Sequence, residues 1–260
     1  MSTQDIRFGF LNYVDQDATS VTASSTNAFF PVINVKDPRS TKVYRSATGT
    51  ATASVVFDLK TAVDVNMILV RPDLLNGFGF TGALTIEANI IDSWGAPSYT
   101  TTLTPNTTLN LGIKFLASPE KYRFWRVTGT GASYFELSNI FLGEYFTPGQ
   151  PVSLNWSYDN ADLSVSRRNS DGQTFIDEYL DQKNIDFEIR LLETVDMETL
   201  KEYFDTVGVK KPFWIVLDPE EIFTTDSEMF AGLFYLESRP RFGNPSFRRF
   251  NTKLNLREAT

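Results

Sequence analysis

Residues 186–218 read DFEIRLLETVDMETLKEYFDTVGVKKPFWIVLD, and the period of the apolar residues changes twice within them. Phe187, Ile189 and Leu191 alternate with Glu188 and Arg190, the period of a half-buried strand. Met197, Leu200, Phe204 and Val207 then recur at three- and four-residue steps, one stripe of a helix. That stripe predicts a helix over about 194–207, with Asp196 placed as N-cap and Gly208 as a left-handed C-cap. Glu198 adds negative charge near the positive end of the dipole. Pro212 stops the helix resuming, and Phe213–Leu217 reads as a strand buried on both faces. A helix of about three turns does not stand alone in water, so it must lie on a sheet made by the strands around it.

Upstream there is no such stripe, and residues 28–147 read as all-β. Val55, Phe57 and Leu59 alternate; 67–70 is a buried run; Leu84, Ile86, Ala88 and Ile90 alternate; strands are predicted at 122–128 and 135–142. Gly, Pro, Asn and Asp clusters separate them, the spacing of a β-sandwich. Ile6, Phe8 and Phe10 suggest a first strand. The segment 146–151, FTPGQP, carries two prolines and a glycine, and the domain boundary is placed there: a sandwich over 1–147 and an α+β domain over 148–260. The fold class is therefore mainly β, with one packed helix in the second domain.

In the second domain Leu154, Trp156 and Tyr158 alternate. Leu163 and Val165 lead to a turn ending in Asp171-Gly172. A strand is predicted at 230–236, followed by a Pro/Gly loop at 239–245. In the final strand Phe250, Thr252, Leu254 and Leu256 face one way, and Asn251, Lys253, Asn255 and Arg257 the other. An exposed strand edge carries unpaired donors and acceptors. Leu154, Trp156, Tyr158, Asn251, Lys253 and Asn255 are therefore candidates for an oligomer interface; the same pattern fits internal strands equally well.

Composition removes whole classes of chemistry. The 260 residues include neither Cys nor His. Thiol nucleophiles, disulfides, thiolate metal sites and a Ser-His-Asp relay go together. No catalytic residue, cofactor or resident metal is assigned. Asp15, Asp17 and Asp37 could offer oxygens to Ca²⁺, but no loop spacing compels it. Asp218, Glu220 and Glu221 follow a buried strand and read as a solvated turn rather than a glycosidase pair. GFGFTG at 77–82 lacks the Lys and Ser/Thr of a phosphate loop. No secretory signal and no apolar run of membrane-spanning length is visible, so no membrane insertion is expected.

The net charge of −8 is uneven: residues 1–147 carry 11 Lys and Arg against 12 Asp and Glu, and 148–260 carry 13 against 20. That balance argues against non-specific DNA binding through phosphates. Sugar binding would need an aromatic face and planar polar groups. Trp94 with Tyr99, Phe78 with Phe80, and Tyr44 with Arg45 are the available sets. Each has a plainer reading: a turn aromatic, loop-anchoring core residues, and a hydrogen-bonding clamp.

Two stretches carry a resemblance. In the first, FPVINVKDP at 30–38, VYRS at 43–46, VVFDL at 55–59, YRFWRV at 122–127 and LSNIFLG at 137–143 stand in order. This resembles the discoidin-like, galactose-binding-like jelly roll as bacteriophage tail proteins carry it. The resemblance implies that the first two segments are loops at one end and that VVFDL and FWRV are core strands. In the second stretch, residues 152–260 resemble the tail-tube and distal-tail modules that form rings. The resemblance implies a homo-oligomer, a hexameric ring, that contacts other phage tail proteins and offers the sandwich to a host-surface glycan. Its place would be the virion, after synthesis in the bacterial host cytoplasm. DNA would only pass through a lumen, which the acidic second domain suits by repelling phosphates. The sandwich leads here, the opposite of the order in familiar distal-tail proteins. The alternative is a free-standing carbohydrate-binding protein, with an enzyme last.

Overall fold

The computed structural model describes residues 6–39, 41–71, 78–106, 111–153, 156–178, 181–219 and 231–259. The architecture is mainly β: curled antiparallel sheets and, among the described residues, one α-helix. The chain divides into two compact units, Gly9–Tyr145 and Met1–Phe8 with Phe146–Thr260. Strand β1 (Arg7–Gly9), flanked by Ile6 and centred on Phe8, both fully buried, thus belongs mostly with the C-terminal part. The alternation at 6–10 calls for a strand but names no partner for it.

The Gly9–Tyr145 unit contains β2 (Ser20–Ala23), a 3₁₀ turn at Val32–Lys36, β3 (Tyr44–Arg45), β4 (Thr52–Val70), β5 (Thr81–Asn89), β6 (Tyr99–Leu103), β7 (Gly112–Thr130), β8 (Glu136–Leu137) and β9 (Ile140–Gly143). The main sheet runs β2-β4-β7-β5-β6, with β9 also beside β4; β3 and β8 pair separately. The apolar runs 55–59 and 67–70 are two halves of one 19-residue strand. Register shifts between Asp58 and Val63 and between Val65 and Met67 separate the halves, and Lys60 has φ 68°. Such bulges bend a strand. Val55 and Phe57 from one half and Ile68 and Val70 from the other share one core with Trp125, Val127 and Leu142. Strand β7 starts well upstream of Tyr122. Pro119, which has no N–H to give, falls in the register gap between Phe115 and Glu120.

The other unit contains β10 (Ser157–Ala161), β11 (Val165–Arg168), β12 (Thr174–Asp177), β13 (Gln182–Leu192), α1 (Thr194–Val207), β14 (Phe213–Val216), β15 (Ala231–Leu236), β16 (Phe242–Ser246) and β17 (Arg249–Glu258). Its sheet runs β1-β14-β15-β17-β13-β10, with β16 beside β17 and a separate β11–β12 hairpin. Helix α1 buries Leu200, Phe204 and Val207, each contributing about 1.5–3 kcal/mol. The Phe204 ring meets Phe8 at 6.3 Å and Phe213 at 6.0 Å. Strand β14 is buried throughout, as a strand covered on both faces requires.

Several sequence expectations change here. The N-cap is Glu193, not Asp196; Asp196 lies in the first turn, where its carboxylate accepts the Gly149 N–H at 2.9 Å. Gly208 does close the helix, at φ 54°, ψ −151°, a region open essentially to glycine alone. Leu191 breaks the alternation of Phe187 and Ile189. A bulge between Ile189 and Leu192 puts it at φ 58° and leaves it exposed, while Leu192 is buried instead. Residues 242–245 of the supposed Pro/Gly loop belong to β16. The final strand is interior: β17 pairs with β13 on one side and with β15 and β16 on the other. Asn251, Lys253 and Asn255 therefore sit on a sheet face and offer no free edge. Trp156 and Tyr158 are half-buried at β10, which ends the sheet path. Leu154 lies outside the described residues.

Candidate functional site

Strands β3 and β8 pair Tyr44 with Leu137 and Arg45 with Glu136. Tyr44 is fully buried, donates its hydroxyl to the Ser25 carbonyl at 2.5 Å, and has its phenol pushed up to about 12 by burial. Arg45 Nε donates to Glu136 Oε2 at 2.6 Å, and Glu136 is buried. The guanidinium stands 4.2 Å from the ring centroids of both Phe30 and Tyr134. Paired to Glu136 through Nε and Nη2 and packed on two rings, Arg45 is a clamp. Neither Tyr44 nor Arg45 is presented to a ligand.

Phe78 and Phe80 are not a projecting pair. Their rings meet at 5.2 Å, and Phe80 continues to Phe135 at 6.1 Å and thence to Tyr44 at 6.1 Å, an aromatic chain within the core. Gly79 between them is demanded by close approach. A Cβ there would lie 2.1 Å from the Cβ of Glu136, whose N–H donates to the Gly79 carbonyl at 2.9 Å.

The pairing of Trp94 with Tyr99 is broken by the sheet itself. Tyr99 sits opposite Ala88, which is fully buried, and its ring packs against Trp125 at 6.1 Å and Tyr122 at 6.3 Å on the core side. Trp94 lies on the opposite, outer face, with its ring centroid 4.6 Å from the Arg126 guanidinium. Arg126 follows the buried Trp125 and precedes the buried Val127, so alternation turns it outward. It pairs across β7 and β5 with Glu87, Nε to Oε2 at 2.6 Å.

The loop between β5 and β6 that carries Trp94 is well tied. Asn89 Nδ2 donates to the Ser93 carbonyl at 2.7 Å, and Asn89 Oδ1 accepts from the Ile90 N–H and from Ser98 Oγ, each at 2.9 Å. The indole N–H donates to Asp92 Oδ1 at 2.7 Å. Trp94 remains half-buried, and Ile90 and Ile91 beside it are each 63% exposed. The result is a held aromatic ring beside a guanidinium and two carboxylates. Sequence reading found Trp94 but not Arg126 or Glu87. Their outward alternation was legible; the register that sets one opposite the other was not.

The remaining candidates are placed as follows. Of the Asp trio, Asp37 is engaged by Arg39, with Nε at 2.8 Å. The nearby carbonyls of Gln16 and Thr19 accept from Lys36 Nζ at 2.8 and 2.9 Å. The protein's own ammonium holds that loop. Asp218 is buried rather than on a solvated turn, and Glu220 and Glu221 lie outside the described residues. Among the described residues, no group of three acidic side chains could hold a metal ion, and no helix is long and apolar enough to cross a membrane.

No protein-family model and no curated protein matches the chain. Solved structures do. The family 32 carbohydrate-binding module of C. perfringens NanJ, solved with galactose, is 15% identical over 53% of this chain and 99% of its own, with a TM-score of 0.44. A Streptococcus pneumoniae fucose-binding module is 10% identical over 52% and 99%, with a TM-score of 0.44. A chitosan-binding module from a Paenibacillus chitosanase/glucanase is 21% identical over 52% and 99%, with a TM-score of 0.40.

Proposed function

We propose that the chain is a non-catalytic carbohydrate-binding protein that takes a sugar ring against Trp94. The observation that carries this reading is the indole held over Arg126, with its N–H fixed by Asp92 and the guanidinium fixed by Glu87. A sugar ring offers an apolar face of C–H groups and a rim of hydroxyls. The indole supplies the apolar platform; Arg126 can donate to hydroxyls, and Glu87 and Asp92 can accept from them. Because the loop is already tied by Asn89, little ordering entropy is lost on binding.

Titration of the full chain with galactose, fucose, N-acetylgalactosamine and glucosamine oligomers tests the reading. Trp94→Ala should weaken binding by roughly tenfold or more, about 1.4 kcal/mol, with an unchanged unfolding temperature. Equal affinity in the variant, or no binding by the parent protein to any of these sugars, would overturn it.

A second reading is an assembly role: a homo-oligomeric ring, hexameric by the sequence resemblance, in a phage tail alongside other tail proteins, with the virion as its location. The β11–β12 hairpin supports it. All eight strand residues are exposed, with Phe175 at 57% and Ile176 at 62%. A two-stranded hairpin is marginal by itself in water, and a neighbouring subunit would cover it. Particle masses over a concentration series decide this: a closed ring supports the role, and a monomer at every concentration counts against it.

A further inference from the structure

Trp94 borders a sheet face whose side chains are mostly hydroxyls. Successive registers put Ser54 opposite Thr128, Thr128 opposite Thr85 and Thr85 opposite Thr102, one row across four strands. Ser24 extends the row, since its Oγ accepts the Ser54 N–H at 3.0 Å. The next row is Thr52, Thr130 and Thr81, with the first two hydroxyls 2.9 Å apart. On the other side lie Arg126 and Glu87 with Thr100. Val55, Val127 and Ile86, which alternate with these residues, are fully buried, so the hydroxyl rows face outward. None of the row residues is buried. Among the described residues, the hydroxyls of Ser54, Thr85, Thr102 and Thr128 have no protein partner.

We infer that this face binds one extended, uncharged polysaccharide chain laid across the strands and anchored at Trp94; the inference rests on the carbohydrate reading above. Adjacent strands are about 4.8 Å apart, so the five-hydroxyl row spans roughly 19 Å. That step is close to the advance of one sugar residue, so successive rings meet successive strands. A hydroxyl both donates and accepts, and can match a sugar hydroxyl in either sense. Charge points the same way. The chain as a whole carries −8, yet the only charges in these rows, Arg126 and Glu87, neutralise each other. Within the rows the one apolar side chain is Val56, opposite Arg126; the exposed Ile90 and Ile91 lie outside them, in the loop beside Trp94. The hydroxyl rows also run directly up to Arg126, on which Trp94 stacks.

The test compares neutral β-linked glucose, mannose and galactose series, from monosaccharide to hexasaccharide, by calorimetry on the full chain. The variant is Thr85→Val with Thr128→Val, which keeps both branched shapes and removes two hydroxyls. The parent protein should gain about tenfold or more in affinity between one sugar and five. The variant should lose that gain while keeping its monosaccharide affinity and its unfolding temperature. Affinity independent of chain length, or a gain that survives in the variant, overturns the inference and leaves the Trp94 reading standing. Preference for uronic or sulfated chains over neutral ones also overturns it. Absence of binding to any sugar overturns both.

Discussion

Arg45 and Glu136 face each other across a two-residue ladder, Nε to Oε2 at 2.6 Å, and the guanidinium is enclosed by the rings of Phe30 and Tyr134. Only 4% of the Glu136 side chain and 23% of the Arg45 side chain are exposed. Removing one partner leaves the other charge buried and unmatched. Arg45→Ala should therefore destabilise the Gly9–Tyr145 unit by about 3–5 kcal/mol. Calorimetry should show that unit's transition falling while the other unit's holds. A variant of unchanged stability would mean that the pair is not structural.

The aromatic chain behind this pair makes an opposite forecast from a ligand site. Phe80→Ala should cost about 3–5 kcal/mol by opening a core cavity. Gly79→Ala should cost about 1–3 kcal/mol, because its Cβ has no room beside Glu136. Denaturant midpoints check both. Neither variant should change sugar affinity under conditions where it remains folded.

Asp58 gives the unit a pH dependence. Its carboxylate accepts from Arg123 at 2.7 and 3.0 Å and from the Lys60 ammonium and N–H, each at 2.9 Å. The Arg123 hydrogen bonds, against some desolvation and with help from Lys60, hold its pKa well below the usual carboxylate range. The folded value is the lower one, so the unfolded chain takes the proton first. The stabilisation is complete above the unfolded value of about 3.9 and is lost as pH falls below it. Asp58→Asn should be less stable than the parent protein at about pH 7, and the gap should close as pH drops below about 4. A gap that stays constant with pH would remove Asp58 as its source.

The β11–β12 hairpin separates assembly from stability. Phe175→Ser with Ile176→Ser touches two exposed residues and should change stability by no more than about 0.5 kcal/mol per substitution. If the hairpin docks on a neighbouring subunit, the same variant should shift the particle mass toward monomer. Light scattering and thermal unfolding on one sample read both.

Much of this protein was determined by one-dimensional pattern. The period change at 186–217, Gly208 after the last helical residue and the buried run at 213–216 specify strand, helix and strand because side-chain periodicity is a local property of the backbone. Alternation likewise determined that Trp125 and Val127 point inward and Arg126 outward. Pairing was decided only in three dimensions. The bulge that turns Leu191 outward, the interior position of β17 and the assignment of β1 to the C-terminal unit all depend on distant strands. So does the candidate site. Trp94 and Tyr99 are five residues apart in sequence yet lie on opposite faces of a sheet, while Trp94, Arg126, Glu87 and the hydroxyl row share one. Sequence alternation assigns each side chain to a face of its own strand; only the hydrogen-bonded register between strands brings residues from distant segments together.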